Sequence, residues 1–358
     1  MRLGIARTLA GCVVAGADDG AEDYCPPYWR SSEPLFRRAH DVVAAVAARY
    51  APVASGLAGV VSGGRPAAGY PPLVEALERY AREPGWSREH RDLAASIERS
   101  VRLLYFEGAP EPAVRPAPDR LAPAGALPAL HVVIPFRAPR GSLRERNLRA
   151  CLRSLAQQAS GSSGFYVTVV ESDDRPRHSW VGSWADNYVF EPQSGPFNKS
   201  SSVNFGARRS RSPRDVICEL DADMVVDPWF ITRVRVQAAV SPAFLPYEDV
   251  HCLDPESSAR LVSERTAGAG TVAGYLLRRP PGGCVVVTAE LFRAVDGFDT
   301  SFTGWGGEDR DFVDRLSAFS PVARSAATMI HLNHERPSMN RAAQFATGDR
   351  EAVTQEVG

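Results

Sequence analysis

The feature that most constrains the fold is an alternation after residue 129, where short apolar runs are separated by amphipathic stretches. The runs are rich in β-branched residues and read "LHVVIPF" (130–136), "FYVTVVES" (165–172), "DVICEL" (215–220) and "GCVVVT" (283–288). Between the first two runs, apolar residues recur at helical spacing: Leu148, Cys151, Leu152 and Leu155. Strands that alternate with helices predict an α/β domain with a mostly parallel sheet. In such sheets ligands bind beyond the carboxyl ends of the strands.

The first third of the chain has a different pattern, which predicts a small bundle of about three helices. Its apolar residues fall into three sets at helical spacing: Leu35, Ala39, Val42, Val43, Val46 and Tyr50; Leu73, Leu77 and Tyr80; Leu93, Ile97, Val101 and Leu104. Ser87 is a candidate N-cap for the third helix. Residues 108–129 are saturated with Pro and Ala, which is typical of a linker. We therefore predict a helical domain (1–107), a linker (108–129), an α/β domain (130–345) and a C-terminal tail (346–358).

Composition narrows the class of partner. The 41 Lys and Arg residues nearly balance the 42 Asp and Glu residues, and no dense basic run occurs, so we expect no nucleic-acid partner. The sequence has no run of 18 or more apolar residues, so we expect no membrane span. The stretch from Leu9 to Cys12 is similar to a lipoprotein cleavage box, but Arg7 interrupts its apolar segment, so we predict a cytoplasmic protein. The six cysteines form no C-x-x-C pair and are expected to be reduced.

Two carboxylates follow the run "DVICEL", at Asp221 and Asp223. Alternation along a strand would send both side chains to one side, at the strand's carboxyl end. Such Asp-x-Asp (DXD) oxygen ligands suit Mg²⁺ or Mn²⁺, which takes its other ligands from substrate phosphates. The alternative interpretation is a turn after a strand, where Asp is common.

Two histidines three positions apart, His331 and His334, lie in "MIHLNHERP" after an apolar pair that could close a strand. Neutral imidazole is a common ligand for borderline-soft metals, so a histidine beside the aspartates would favour Mn²⁺ over Mg²⁺. A structural or solvent-facing role for both histidines is the alternative.

The stretch "GWGGEDRD" (304–311) concentrates glycines, one indole and three acids. Acids suit the first turn of the helix predicted in "EDRDFVDRL", and Asp311 is assigned to that role. That assignment leaves Trp305 unexplained, because an indole in a loop exposes apolar area unless something stacks on it. A sugar ring is a suitable partner for the indole, and a neighbouring carboxylate can accept a hydroxyl proton as a general base.

Four stretches occur in an order that resembles a known family: "VIPFR" (133–137), "FNKSSSVNFG" (197–206), the Asp-Ala-Asp strand end, and residues 282–312 followed by "HLNH". Over about residues 130–345 they resemble the GT-A glycosyltransferases of the β-1,4-galactosyltransferase type, including the chondroitin-polymerase-like and polypeptide-GalNAc-transferase-like branches. The resemblance implies a Rossmann-like mixed sheet, preceded here by the helical domain.

The resemblance also implies a set of nucleotide contacts: Pro135, Phe136 and Arg137 after the first strand, and Phe197, Asn198 and Lys199 toward base and ribose. A second family arginine is absent, because Pro139 stands at its position and Arg140 is displaced by one. Asp173 is a further nucleotide candidate because it follows the second predicted strand.

For the metal, the resemblance implies Asp223 as a ligand, Asp221 in support of ribose or metal, and His331, His334 or both as the remaining ligands. For the sugar, it implies the loop around Trp305 and Gly306, with Glu308 on sugar hydroxyls and Asp309 as the catalytic base.

The function implied is an inverting, metal-dependent transferase that uses a UDP-sugar. One alternative is a retaining enzyme of the GalNAc-transferase-like branch, but that branch tends to carry Asn at the position of Asp309 and Asp-x-His in place of Asp-x-Asp. Another is a catalytically idle sugar-nucleotide-binding protein on the same fold. The donor sugar stays open among several hexoses, GDP is an alternative to UDP, and the acceptor is a glycan or a small natural product.

Overall fold

The structure is a computed structural model that describes residues 4–62, 65–110, 127–159, 161, 163–264 and 271–336. The chain divides into two compact units. The N-terminal unit comprises residues 1–111, 251–257 and 269–279, and the α/β unit comprises residues 112–250, 258–268 and 280–358. The predicted linker over 111–126 and the predicted tail over 346–358 lie outside the described residues.

The helices of the described residues are α1 (Ile5–Ala17), α2 (Gly20–Tyr24), α3 (Pro26–Ala47), α4 (Ala51–Ser62), α5 (Tyr70–Arg82), α6 (Arg88–Ser100), α7 (Leu143–Ala156), α8 (Lys199–Ala207), α9 (Phe230–Ala238), α10 (Pro255–Glu264), α11 (Ala289–Ala294) and α12 (Glu308–Phe319). The strands are β1 (Leu103–Pro110), β2 (Leu130–Phe136), β3 (Phe165–Asp173), β4 (Asn187–Pro192), β5 (Val216–Leu220), β6 (Met224–Val225), β7 (Ala243–Leu245), β8 (Asp249–Leu253), β9 (Thr271–Arg278), β10 (Cys284–Thr288), β11 (Ala323–Arg324) and β12 (Thr328–His331). Short 3₁₀ helices span Pro66–Gly69 and Ser179–Ser183.

The N-terminal unit contains more helices than its sequence predicts. The three predicted helices correspond to α3, α5 and α6, and the Ser87 side chain caps α6 as expected, accepting from His90 N at 3.2 Å. The helices α1, α2 and α4 are additional, so the expected number is wrong. The sequences of α1 and α4 are dominated by Ala, Gly and Val, with little contrast between a polar and an apolar face.

The end of the third predicted helix is also wrong. The helix α6 ends at Ser100, and Leu104 lies in β1, which pairs antiparallel with β9. Residues 108–110, assigned to the linker from sequence, belong to the same strand. Because β9 is about 170 residues away along the chain, its pairing with the apolar run "LLYF" could not be read from local periodicity.

The α/β unit is built on a seven-stranded sheet in the order β11-β7-β10-β5-β2-β3-β4. The strands β5, β2, β3 and β4 are mutually parallel, β11 is parallel to β7, and β10 runs antiparallel to both of its neighbours. The helix α8 packs on β2 and β3, and α9 packs on β10. The predicted α/β class with a mostly parallel sheet is confirmed, and each of the four apolar runs forms a strand.

None of the six cysteines, all of which lie within the described residues, forms a disulfide. Cys12 is fully buried in α1. Among the described helices, none is both long enough and apolar enough to cross a membrane.

Candidate functional site

The two aspartates of the Asp-x-Asp motif follow β5 but do not continue it. The strand ends at Leu220, and Asp221 to Met224 form a turn closed by a hydrogen bond from Met224 N to Asp221 O at 3.1 Å. The predicted strand alternation is therefore wrong for these two aspartates, because neither of them lies in a strand. Each aspartate has its own set of partners.

Asp223 lies beside both histidines of the downstream motif. Its Oδ1 is 3.5 Å from His331 Nε2, and its Oδ2 is 2.9 Å from His334 Nε2. The strand β12 ends at His331 and pairs antiparallel with β6, and Leu332 N donates to Asp223 O at 2.9 Å. One potential ligand atom from each of the three residues lies within 4.8 Å of the others. The structure thus brings together a carboxylate and two imidazoles that the sequence could only list.

The chemistry of this metal cluster (Asp223, His331, His334) fits a divalent cation. Burial lowers the pKa of His331 to about 3, so its imidazole is neutral and one ring nitrogen has a lone pair available. Although burial opposes ionisation, the neighbouring imidazoles hold the pKa of Asp223 well below its usual range. Asp223 Oδ1 and His331 Nδ1 are buried and make no hydrogen bond within the described residues.

The hydrogen bonding of His334 is a second indication that this cluster could hold a metal ion. Its Nδ1 lies 2.7 Å from the Glu335 carbonyl oxygen, which only a protonated Nδ1 can satisfy. With a proton on Nδ1, Nε2 is the ring nitrogen that faces Asp223 and that could bind a cation. A backbone carbonyl that fixes the tautomer in this way is a usual partner of a metal-binding histidine, so these three residues could hold a divalent cation.

Asp221 lies in a second group of charges, centred on Lys199. The Lys199 Nζ is 2.7 Å from Asp221 Oδ1, 2.9 Å from Asp309 Oδ1 and 3.1 Å from Glu219 Oε1. The lysine side chain is only 9% exposed, and that of Glu219 is 2% exposed. We call Lys199, Glu219, Asp221 and Asp309 the lysine cluster. It joins residues of β5, α8 and α12.

Three carboxylates around one ammonium set the protonation of the cluster. Burial opposes the charge of Lys199, but Asp221, Asp309 and Glu219 raise its pKa well above the usual value. Burial raises the pKa of Glu219 strongly, and burial together with Asp309 and Asp223 raises the pKa of Asp221. The ammonium therefore stays charged, whereas burial favours the neutral form of Glu219.

The loop before α12 takes its shape from its glycines. Gly304, Gly306 and Gly307 have φ values of 82°, 106° and 100°, a region that favours glycine. Gly306 N donates to Glu308 Oε2 at 3.1 Å. Burial, with a further contribution from Asp309, raises the pKa of Glu308 to about 7. Asp311 pairs with Arg315 at 2.8 Å within α12, in line with its predicted structural role.

Trp305 is half-buried in this loop, and the Arg336 guanidinium carbon lies 5.9 Å from its ring centroid. Gly282 lies directly behind Asp309: an added Cβ would stand 2.0 Å from Asp309 Oδ2. Asp309 therefore packs against a backbone position that has no room for a Cβ.

An arginine-rich cleft of about 680 Å³ opens beyond the carboxyl ends of β2 and β3. It is lined by Arg137, Ala138, Pro139, Arg140, Asp173, Arg175, Pro176 and Arg177. Four guanidinium groups suit a phosphorylated ligand. Arg140, displaced by one position from the family pattern, lines the cleft as well.

The predicted nucleotide residues take different positions relative to this cleft. Pro135 and Phe136 are buried in β2, and the Phe136 ring packs against His178 with centroids 5.0 Å apart. Asp173 lies at the cleft and pairs with Arg177 at 2.9 Å. Lys199 lies in the lysine cluster instead.

Arg137 is largely committed to the protein. Its guanidinium donates to the backbone carbonyls of Ser172, Gln193 and Gly195, and its Cζ lies 5.4 Å from the Phe197 ring. The side chain thus shapes the cleft by tying the end of β3 to the segment after β4.

Two residues of the site were missed from the sequence. Glu219 is a carboxyl inside the apolar run "DVICEL", which is a signal, because a charge in a buried strand requires a partner. Glu171, similarly placed in β3, is fully buried and accepts from Arg177 N at 2.8 Å and from His178 N at 3.2 Å, which holds the loop that lines the cleft.

Comparison with known proteins supports the resemblance drawn from the motifs. Residues 276–335, which include the glycine-tryptophan loop and both histidines, match a family described as the N-terminal domain of galactosyltransferase. Validoxylamine A glucosyltransferase from Streptomyces hygroscopicus subsp. limoneus is 30% identical over 267 residues, which is 63% of this chain and 57% of that protein. The protein of the same name from S. hygroscopicus subsp. jinggangensis is 29% identical over 59% of this chain and 57% of its own length. The chain thus spans somewhat more than half the length of these curated relatives.

Among solved structures, the chain is similar to a mannosyltransferase from Pyrobaculum calidifontis in complex with GDP-Man and Mn²⁺. The identity is 15%, the TM-score is 0.41, and the match covers 63% of this chain and 62% of that one.

Proposed function

We propose that this protein is an inverting, metal-dependent glycosyltransferase that moves a sugar from a nucleotide-diphosphate donor, most simply a UDP-sugar, to an acceptor hydroxyl. The observation that carries the proposal is the pair of clusters after β5, where Asp223 joins two histidines and Asp221 joins Lys199 and Asp309. The family match over residues 276–335 supports the same activity. The α/β unit is the proposed catalytic part of the chain.

In the proposed site, Asp223, His331 and His334 hold Mn²⁺ or Mg²⁺. When bound, the metal neutralises charge that builds on the departing diphosphate. We assign the nucleotide to the cleft that Asp173 and the arginines line, because guanidinium groups suit an anionic ligand.

Asp309 is the proposed general base. Its carboxylate takes the proton from the acceptor hydroxyl while that oxygen attacks the anomeric carbon from the face opposite the diphosphate. A bond forms between the acceptor oxygen and the anomeric carbon, and the bond from that carbon to the diphosphate oxygen breaks. Configuration is therefore inverted. Glu308, with its pKa raised to about 7, carries a proton for much of the time near neutrality and can donate a hydrogen bond to a sugar oxygen.

Trp305 is proposed to stack on the sugar at the mouth of the site, with Gly306 behind it. The curated relatives are named as glucosyltransferases of validoxylamine A, so we propose a small natural product as the acceptor and a glucosyl group as the transferred sugar. Within the α/β unit, residues 243–250, 258–264 and 280–281 are the proposed acceptor side.

The variant Asp309→Asn tests the base. Asn keeps the volume and a hydrogen-bond acceptor for Lys199 but cannot take a proton, so we expect transfer to fall by at least 10²-fold. Metal-dependent UDP binding, measured by calorimetry, should stay within about twofold. Turnover equal to the wild type would refute the assignment, and a product that retains the donor's anomeric configuration would favour the retaining alternative. Nucleotide binding without any transfer by the wild type would favour an idle sugar-nucleotide-binding protein.

A further inference from the structure

Three successive residues at the start of α8 each contact the loop that carries Trp305 or the first turn of α12, which carries Asp309. The Phe197 carbonyl accepts from Gly304 N at 2.9 Å. The Asn198 Nδ2 donates to the Thr300 carbonyl at 2.7 Å, and Lys199 Nζ lies 2.9 Å from Asp309 Oδ1. We call residues 197–199 the strap. The strap thus contacts Thr300, Gly304 and Asp309, which is the proposed base.

The other side of the strap is tied to the cleft. The Gln193 side-chain oxygen accepts from Asn198 N at 2.8 Å and also from the Arg137 guanidinium at 2.9 Å. The Phe197 ring lies 5.4 Å from the Arg137 Cζ. Arg137 lines the cleft. A continuous set of hydrogen bonds and ring contacts therefore runs from the cleft through the strap to the loop.

The strap also has a fixed direction, because Asn198 caps α8. Its Oδ1 accepts from Ser201 N at 2.8 Å, as an N-cap side chain does. The two polar atoms of the Asn198 amide thus make different hydrogen bonds: the oxygen caps α8, and the nitrogen donates to the loop at Thr300. Lys199 is the first residue of that helix, and 9% exposure of its side chain leaves its ammonium facing the three carboxylates of the lysine cluster.

We propose that the strap positions the catalytic loop relative to the nucleotide cleft, and that Asn198 and Lys199 are positioning residues for Asp309 rather than nucleotide ligands. This inference rests on the proposed function for its kinetic consequence. Its structural content, that the amide of Asn198 tethers the loop through Thr300, stands on the contacts alone. The donor cleft and the base are then held by one segment, so their spacing is set before substrates bind.

Two variants separate the cap from the tether. Asn198→Asp and Asn198→Ser both keep an oxygen that can cap α8, and both lack the nitrogen that donates to Thr300 O. Loss of one neutral hydrogen bond is worth roughly tenfold in an equilibrium. We expect hydrogen exchange at the Gly304 amide to accelerate about tenfold. We also expect kcat to fall about tenfold, while KM for the donor nucleotide sugar and the thermal midpoint stay near the wild type.

The matched control is Asn187→Asp. The Asn187 side-chain amide, at the start of β4, donates to Thr168 Oγ1 at 3.1 Å and makes no hydrogen bond to the strap or the loop within the described residues. It should leave Gly304 exchange and kcat unchanged.

Unchanged exchange at Gly304 in both Asn198 variants would overturn the tether. Faster exchange with an unchanged kcat would overturn the positioning role, as would a rise in donor KM with kcat intact, which indicates a nucleotide ligand. If the wild type transfers no sugar at all, the proposed function and the positioning role fail together, whereas faster Gly304 exchange in the variants would still support the tether.

Discussion

Gly282→Ala is the substitution whose effect the structure defines most sharply. A Cβ at Gly282 would stand 2.0 Å from Asp309 Oδ2 and 2.8 Å from its Cγ, closer than such atoms approach in proteins. The backbone behind it cannot withdraw easily. The buried Tyr247 hydroxyl donates to the Gly282 carbonyl at 2.7 Å, and the Gly283 carbonyl accepts from Asp221 N at 3.0 Å. The strain therefore falls on the Asp309 side chain.

The size of the effect follows from these distances. To reach an ordinary contact of 3.4 Å or more, the Asp309 carboxylate oxygen has to move by more than about 1 Å, and a misplacement of about 1 Å already costs on the order of 10²-fold in rate. The same movement lengthens the 2.9 Å contact between Asp309 and Lys199. Crowding of this kind destabilises a packed site by about 1–3 kcal/mol. We expect kcat to fall about 10²-fold and metal-dependent nucleotide binding to change little.

Steady-state kinetics, calorimetric UDP binding and urea unfolding of the variant measure the three quantities. Gly182→Ala is the control: its added Cβ would meet nothing within 4 Å, and its φ lies outside the region that favours glycine. It should behave as the wild type. A Gly282→Ala enzyme with the wild-type kcat would refute the reasoning, because Asp309 would then tolerate displacement that a general base cannot.

Two further predictions concern charge. Mn²⁺ at 100 times its Kd should stabilise the wild type by about 2.7 kcal/mol. Asp223→Ala should lose that stabilisation in thermal unfolding. If Mn²⁺ raised the thermal midpoint of the wild type and of the variant equally, the metal cluster would be contradicted. Sugar transfer by the wild type should stop when the metal is chelated and return when Mn²⁺ is added. Glu308, with its pKa raised from 4.5 to about 7, holds a proton in the folded state that the unfolded chain has lost. Its contribution to stability therefore disappears as pH rises from about 4.5 to 7, by up to about 3 kcal/mol. Glu308→Gln should flatten urea-unfolding stability over that interval, and an unchanged slope would exclude Glu308 as its source.

Much of the sheet could be predicted because its information is local. The runs that form β2, β3, β5 and β10 are apolar, rich in β-branched residues and bounded by turns. Each strand can therefore be predicted from a few consecutive residues. The direction of β10 could not be read in the same way. An antiparallel strand inserted between β5 and β7 has the same buried pattern as a parallel one, and only its pairing partners determine its sense.

The site divides along the same line. Asp223, His331, His334 and Asp309 could be named from motifs, and the structure places the first three together. The partner of Asp309 could not be named, because Lys199 is 110 residues away and its motif suggested a nucleotide contact. Glu219 contacts Lys199 and Gly282 lies against Asp309, so the roles of both residues depend on segments that are far apart in the sequence. Chemistry that depends on which residue types are present was accessible, whereas chemistry that depends on long-range approach was not.

Asp221 and Asp223 show this most clearly, because Asp221 contacts Lys199 whereas Asp223 contacts the two histidines. Two carboxylates two positions apart have environments that move their pKa values in opposite directions: histidines lower that of Asp223, whereas burial and neighbouring acids raise that of Asp221. Divergent environments of this kind assign different roles to chemically identical groups. Asp223 is suited to remain anionic and bind a cation. Asp221 shares the Lys199 ammonium with Asp309, so it competes with the proposed base for the same proton donor and limits how tightly that base is paired. We expect a base held in this way to be aligned by Lys199 and still able to accept a proton.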